Sequence, residues 1–223
     1  MSFLKNHINL SIKEWKSALS DRSFLLKLLI TPGFFLVYSS ITQKLGNYVE
    51  MRKGILLDDK LLEIIPSFDF SISIFILLYS SLSIVILTHL HKPKVILRII
   101  EMHFLVAIVR QICILCVALE PPTGIIVLRD VFLENTVYPQ NSPLTKDLFF
   151  SGHVASIWLY SLCSENKMIK YYLGFATFLM SFMILSMKVH YSYDVYGAFF
   201  FTTIIYFLPT WVKSYTLSKS VIQ

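Results

Sequence analysis

Cysteine is scarce in this chain, and what there is cannot build a disulfide framework. The three cysteines, Cys113, Cys116 and Cys163, lie inside or at the edge of apolar stretches. Cys113 and Cys116 have CxxC spacing, but redox and zinc pairs need solvent access or further ligands, which an apolar helix interior does not supply. They read as small buried helix residues. Charged residues are only 15% of the chain, and the formal net charge of +6 comes from lysines and arginines clustered between apolar runs. That placement excludes nucleic acid as a partner and matches cytoplasmic loops. The two halves show no internal repeat, which argues against a transporter built from repeats. No small-x-small cleavage site follows the first apolar run, so a cleaved signal peptide is not expected.

What is present is hydrophobic: 55% of 223 residues, with a mean hydropathy of +0.64. One polytopic, all-α membrane domain is the economical reading. In residues 1–22, Ile8, Ile12, Trp15 and Leu19 fall at helical spacing, with Lys5, Lys13, Lys16 and Arg22 mostly on other faces. This predicts an amphipathic helix lying at the membrane interface. Apolar runs near 24–42, 70–90, 95–119, 148–164, 167–188 and 191–212 are each near the roughly 20 residues that a hydrocarbon core requires. They predict about six transmembrane helices in a domain spanning 23–213, followed by a cytoplasmic tail at 214–223. The first run is interrupted by Lys27 and Pro32-Gly33; the fourth is short and carries His153. The basic loops His89 to Lys94 and Glu165 to Lys170 fall on one side and favour a cytoplasmic N-terminus and C-terminus. Arg110, His153, His190 and Asp194 then lie towards the extracytoplasmic face.

Ionisable side chains at membrane depth carry a functional reading by default. His190 and Asp194 are four apart, so on a helix they share a face. They either satisfy each other within the bundle or act as base and orienter, the aspartate fixing one imidazole nitrogen and leaving the other free to attack. Ser151-Gly152-His153 opens the fourth run, where free N–H groups and the helix dipole favour an anion; a helix cap followed by an interfacial histidine is the other reading. Arg110 sits nine residues, or ~13 Å of helix, below Leu119. It either pairs with Glu120 or snorkels outward, or it clamps a phosphate. His103 reads as a polar helix contact, and His7, His89 and His91 as interfacial residues of the cytoplasmic side.

Asp147-x-x-Phe150-Ser151-Gly152-His153 and His190-Tyr191-x-x-Asp194-Val195 closely resemble the two catalytic motifs of the sphingomyelin synthase family, within the wider type 2 phosphatidic acid phosphatase (PAP2) superfamily. Upstream, Leu97-Arg98, Arg110 and Leu119-Glu120-Pro121-Pro122 look like that family's arginine-rich third helix and its closing turn. The chain departs from the phosphatase branches in having no Arg-Pro, and Met183-Ile184 stand where a Ser-Arg would fall. It departs from the synthase motif in Thr145-Lys146 and Val154.

The resemblance implies a double displacement without metal or cofactor. His190, oriented by Asp194, attacks the phosphorus of a phospholipid headgroup while His153 serves as acid and then base. Arg110, Lys146, Asp147, Ser151, Gly152 and Lys188 are then the expected substrate-binding residues. The partners implied are the bilayer, a phospholipid donor and either a ceramide-like acceptor or water. A water acceptor would make the protein a lipid phosphatase or phospholipase. A non-enzymatic transporter or scaffold is the reading from a different class.

Overall fold

A computed structural model describes residues 2–128 and 144–220, with side chains from residue 9 to residue 208. Among them the chain forms eight helices: α1 (Ser2–Ser20), α2 (Arg22–Met51), α3 (Lys60–Ile64), α4 (Ser71–His89), α5 (Pro93–Cys116), α6 (Gly152–Cys163), α7 (Lys167–Ser186) and α8 (Ser192–Ser220). The architecture is the expected all-α bundle, and each of the six apolar runs carries one helix. Arg129, the His7 side chain and residues 221–223 of the expected tail lie outside the described part; the helical backbone of α8 continues to Ser220.

Among the described residues four helices, α2, α4, α5 and α7, are long and apolar enough to cross a membrane. Their outer faces carry large exposed apolar side chains such as Leu36, Ile72 and Phe175, and Phe200 does the same on α8. So large an apolar surface suits lipid rather than water. On α7 the exposed Phe175, Phe178 and Phe182 oppose a buried stripe of Leu173, Ala176, Met180 and Ile184 at helical spacing.

The centre of the bundle is its shortest crossing. Helix α6 has 12 residues, ~18 Å of rise, well short of a hydrocarbon core of about 30 Å. It need not meet lipid, because α4, α5, α7 and α8 surround it and Val154, Ala155, Ile157 and Leu159 are fully buried. The remaining depth on one side is non-helical chain, 144–151, which is tolerable only where protein satisfies its backbone.

Two ends are distinguishable. At one, Asp21 caps α2 by accepting from the Ser23 and Phe24 N–H groups, which holds its carboxyl below the ordinary range. Trp15 Nε1 donates to the Leu90 carbonyl at 2.8 Å, tying α1 to the α4–α5 turn. His89, expected at the interface, is instead buried: Nδ1 lies 2.9 Å from the Val85 carbonyl and Nε2 accepts from Glu165 N–H at 3.4 Å. At the other end Arg52 donates to the carbonyls of Ile114, Leu115 and Val117, closing the C-terminus of α5. Ile55 and Leu119 form a parallel bridge beside it. Gly54 is required there, since a Cβ would stand 2.4 Å from the Leu119 carbonyl carbon.

Candidate functional site

His190 precedes α8, in the turn that follows α7. Val189 N–H bonds to Ile184 C=O and Lys188 N–H to Leu185 C=O, with Lys188 in the left-handed region at φ 54°. That is a Schellman closure with lysine where glycine is usual. The spacing to Asp194 therefore works differently from two residues on one helical turn. Asp194 is the third residue of α8, and its Oδ2 reaches back to accept from Tyr191 N–H at 2.9 Å, the carboxylate half of a capping box. The same Oδ2 lies 3.1 Å from His190 Nδ1. One carboxylate thus starts the helix and fixes the imidazole through Nδ1, on the side of the ring opposite Nε2. Both side chains are buried, and Asp194 Oδ1 has no partner among the described residues.

The second segment is fastened to the first through its backbone. Ser151 N–H donates to the Asp194 carbonyl at 3.2 Å, so the N-terminus of α6 abuts the first turn of α8. Ser151 occupies the cap position of α6 without capping it; its Oγ is buried and unpartnered among the described residues. The first intrahelical bond is Ala155 N–H to Ser151 C=O, which leaves the N–H groups of Gly152, His153 and Val154 without an intrahelical acceptor. His153 is half-buried, its ring 6.2 Å from that of Phe75 on α4. It lies within electrostatic reach of His190, Arg110 and Asp147.

Arg110 resolves in favour of a partner other than Glu120. Its Nε donates to Phe150 C=O at 2.7 Å and a terminal nitrogen to Asp147 C=O at 3.2 Å, while that nitrogen lies 3.0 Å from Asp147 Oδ2. The guanidinium thereby satisfies the non-helical chain that leads into α6. Gly152 makes the approach possible, because a Cβ there would meet Arg110 Nε at 3.2 Å. Of the expected substrate-binding residues, Arg110, Asp147, Ser151 and Gly152 come together. Lys146 does not point the same way: its Nζ is held by Glu120 Oε1 at 2.9 Å and Arg52 C=O at 2.8 Å. Lys188 borders a cavity of about 310 Å³ shared with Asp58, Asp59, Glu63 and Tyr191. His103 is a polar helix contact, its Nδ1 3.4 Å from Tyr160 Oη.

Two positioning residues, Asp59 and Glu50, escape a sequence reading, and a third, Tyr191, stands in the second motif without a sign of what it holds. Asp59 caps α3 and accepts from Ser192 N–H at 2.7 Å and Ser192 Oγ at 3.1 Å, which anchors the start of α8. Its only sequence signal is an aspartate before a short apolar stretch. Glu50 accepts from the Thr145 and Lys146 N–H groups and from Thr145 Oγ1. Tyr191 Oη donates to Glu120 C=O at 2.9 Å.

No curated protein matches the chain. Residues 146–211 match the family described as PAP2 superfamily C-terminal. That segment carries His153, His190 and Asp194, and it is over this stretch that the chain is similar to that family.

Proposed function

We propose that the chain is a lipid phosphotransferase of the sphingomyelin synthase type, moving a phospholipid headgroup to a ceramide-like hydroxyl through a phosphohistidine. The observation that carries this reading is the Ser151 N–H to Asp194 C=O bond, which fastens the Ser-Gly-His turn to the His-Asp pair. In the first step His190 Nε2 forms a bond to phosphorus while the bond from phosphorus to the diacylglycerol oxygen breaks, and His153 donates a proton to that oxygen. Asp194 holds the Nδ1 proton and offsets the positive charge that develops on the ring. In the second step His153 takes the proton of the incoming hydroxyl, whose oxygen attacks phosphorus as the N–P bond breaks back to Nε2.

The phosphoryl oxygens are met by the N–H groups of the first turn of α6, which have no intrahelical acceptor, and by the Arg110 guanidinium beside Gly152. Asp147 sets the position of Arg110. Ser151 Oγ, buried without a partner among the described residues, supplies a further donor, and Lys188 contributes positive charge from the rim, while Lys146 is taken up by Glu120 and the Arg52 carbonyl. With both termini cytoplasmic, this site opens to the extracytoplasmic leaflet. Purified protein in vesicles of a phospholipid donor, with and without ceramide, tests the reading by lipid mass spectrometry. The expected product is the headgroup on ceramide, abolished in His190→Ala. Transfer to water alone, with ceramide ignored, would make the protein a hydrolase, and normal turnover by His190→Ala would overturn the mechanism.

A further inference from the structure

At the end of the bundle remote from His153 and His190, α5, α6, α7 and α8 enclose a second cavity, of about 650 Å³. The separation can be counted along three helices. Arg98 lies 12 residues before Arg110 on α5, Tyr206 lies 12 after Asp194 on α8, and the cavity meets α6 at its C-terminus rather than its N-terminus. Each interval is ~18 Å of helix, so this is a separate space.

Its walls combine two chemistries. Val95, Ile99 and Leu162 are apolar, and Tyr171 beside them is on the lipid-exposed side of α7. Around them stand Arg98, Lys167 and Lys170, none with a carboxylate partner among the described residues. The one carboxylate in the lining, Glu165, is already bound to Lys92, whose ammonium, with the nearby His89 and His91, holds that carboxyl below its ordinary range. Arg98 is set over the Tyr206 ring, 5.3 Å from its centroid, which fixes the guanidinium at the cavity wall. Ordinary loop lysines account for positive charge at this end. They do not account for three cations converging on an apolar-walled space of the size that holds small ligands.

We infer that this cavity is a binding site for an anionic phospholipid of the leaflet opposite the candidate active site. Its phosphate is received by Arg98, Lys167 and Lys170, and its upper acyl chain lies along Val95, Ile99 and Leu162. The inference requires only the membrane bundle and is independent of the proposed chemistry.

The test is lipid retention. The protein is reconstituted in nanodiscs of phosphatidylcholine with a minor share of phosphatidylglycerol, extracted into mild detergent, and the bound lipid counted by native mass spectrometry. Wild type should retain phosphatidylglycerol in preference to phosphatidylcholine. Arg98→Gln with Lys170→Gln should lower that retention by about 25-fold, taking about fivefold for each cation near an anionic headgroup. Arg98→Lys with Lys170→Arg should retain it, as should Lys44→Gln with Lys53→Gln on the other end. Unchanged retention in the charge-removing variant, or equal retention of phosphatidylcholine, would overturn the inference. Displacement of the lipid by glycerol phosphate in solution would overturn the lipid assignment in favour of a soluble phosphate ester. Retention is read without turnover, so a failed transferase assay leaves this result standing.

Discussion

Asp194 is where the fold and the proposed chemistry can be separated by one atom. Its Oδ2 accepts from both Tyr191 N–H and His190 Nδ1, while Oδ1 has no partner among the described residues. In Asp194→Asn the amide oxygen can take the place of Oδ2 and keep both hydrogen bonds, with the NH2 group where Oδ1 stood. The helix start should survive, and what is lost is the negative charge facing the imidazole when His190 carries the phosphoryl group. Hydrogen bonds to charged groups are worth roughly twice neutral ones. Losing a buried charge that stabilises a transition state removes about 3 kcal/mol or more, which is on the order of 10²-fold in turnover. Asp194→Ala also removes the capping bond and leaves Tyr191 N–H unsatisfied, a further loss of about 2 kcal/mol in stability. Headgroup transfer in vesicles, measured beside thermal melts in detergent, should show Asn slow but stable and Ala slow and destabilised. Wild-type turnover by Asp194→Asn would refute the role of the carboxylate.

Three further expectations follow from particular contacts. Gly152→Ala should push its Cβ against Arg110 Nε, which would lie 3.2 Å away; the guanidinium must shift by a few tenths of an ångström, and turnover should fall about tenfold. Single cysteines at Thr123 and Lys188 in a cysteine-free background should react with an impermeant maleimide from outside intact cells, and cysteines at Lys94 and Lys167 should not; the opposite pattern reverses the orientation. The Glu120 carboxyl is held below its ordinary value of 4.5, first by Gly54 N–H and then by Lys146. A depressed folded-state pKa gives stability that is present above the unfolded value and lost as pH falls through the folded one. Melts taken downward from about pH 6 should therefore show an acid limb that Glu120→Gln flattens.

The apolar runs fix where the helices are because burial in lipid demands length and hydropathy. The same rule misjudges α6. Its run from 148 to 164 is the least convincing by length and carries His153, yet the helix is the axis of the bundle, since side chains of four neighbours replace lipid around it. Hydropathy also stops α2 too early: the first run ends near residue 42, whereas the helix continues to Met51, because leaving the hydrocarbon does not oblige a helix to end. The His-Asp spacing is legible and its geometry is not, as the capping box that joins them depends on where α8 begins. Lys146 and Asp147 are adjacent in sequence yet serve Glu120 and Arg110 respectively. No local pattern separates them, because both partners are distant in the chain and arrive only through tertiary packing.

Arg110 tests how far positioning and substrate binding share one side chain. It is held by two carbonyls and the Asp147 carboxylate, with only 18% of its side chain exposed. In Arg110→Gln the carbonyls of Asp147 and Phe150 lose their donor, and a carboxylate is left within the bundle without its cation. Because the Asp147 side chain is itself 36% exposed, solvent offsets part of the loss, and the cost is about 1–3 kcal/mol, most of it from the two carbonyls. Removing the charge of Asp147 as well should recover part of that loss, so Arg110→Gln with Asp147→Asn should be more stable than Arg110→Gln alone. Activity should not follow stability: if the guanidinium also receives the phosphoryl oxygens, the double variant regains its fold and remains inactive. Recovery of turnover in the double variant would assign Arg110 to positioning alone. Wild-type stability in Arg110→Gln would mean that the non-helical chain before α6 is held by something other than these three bonds.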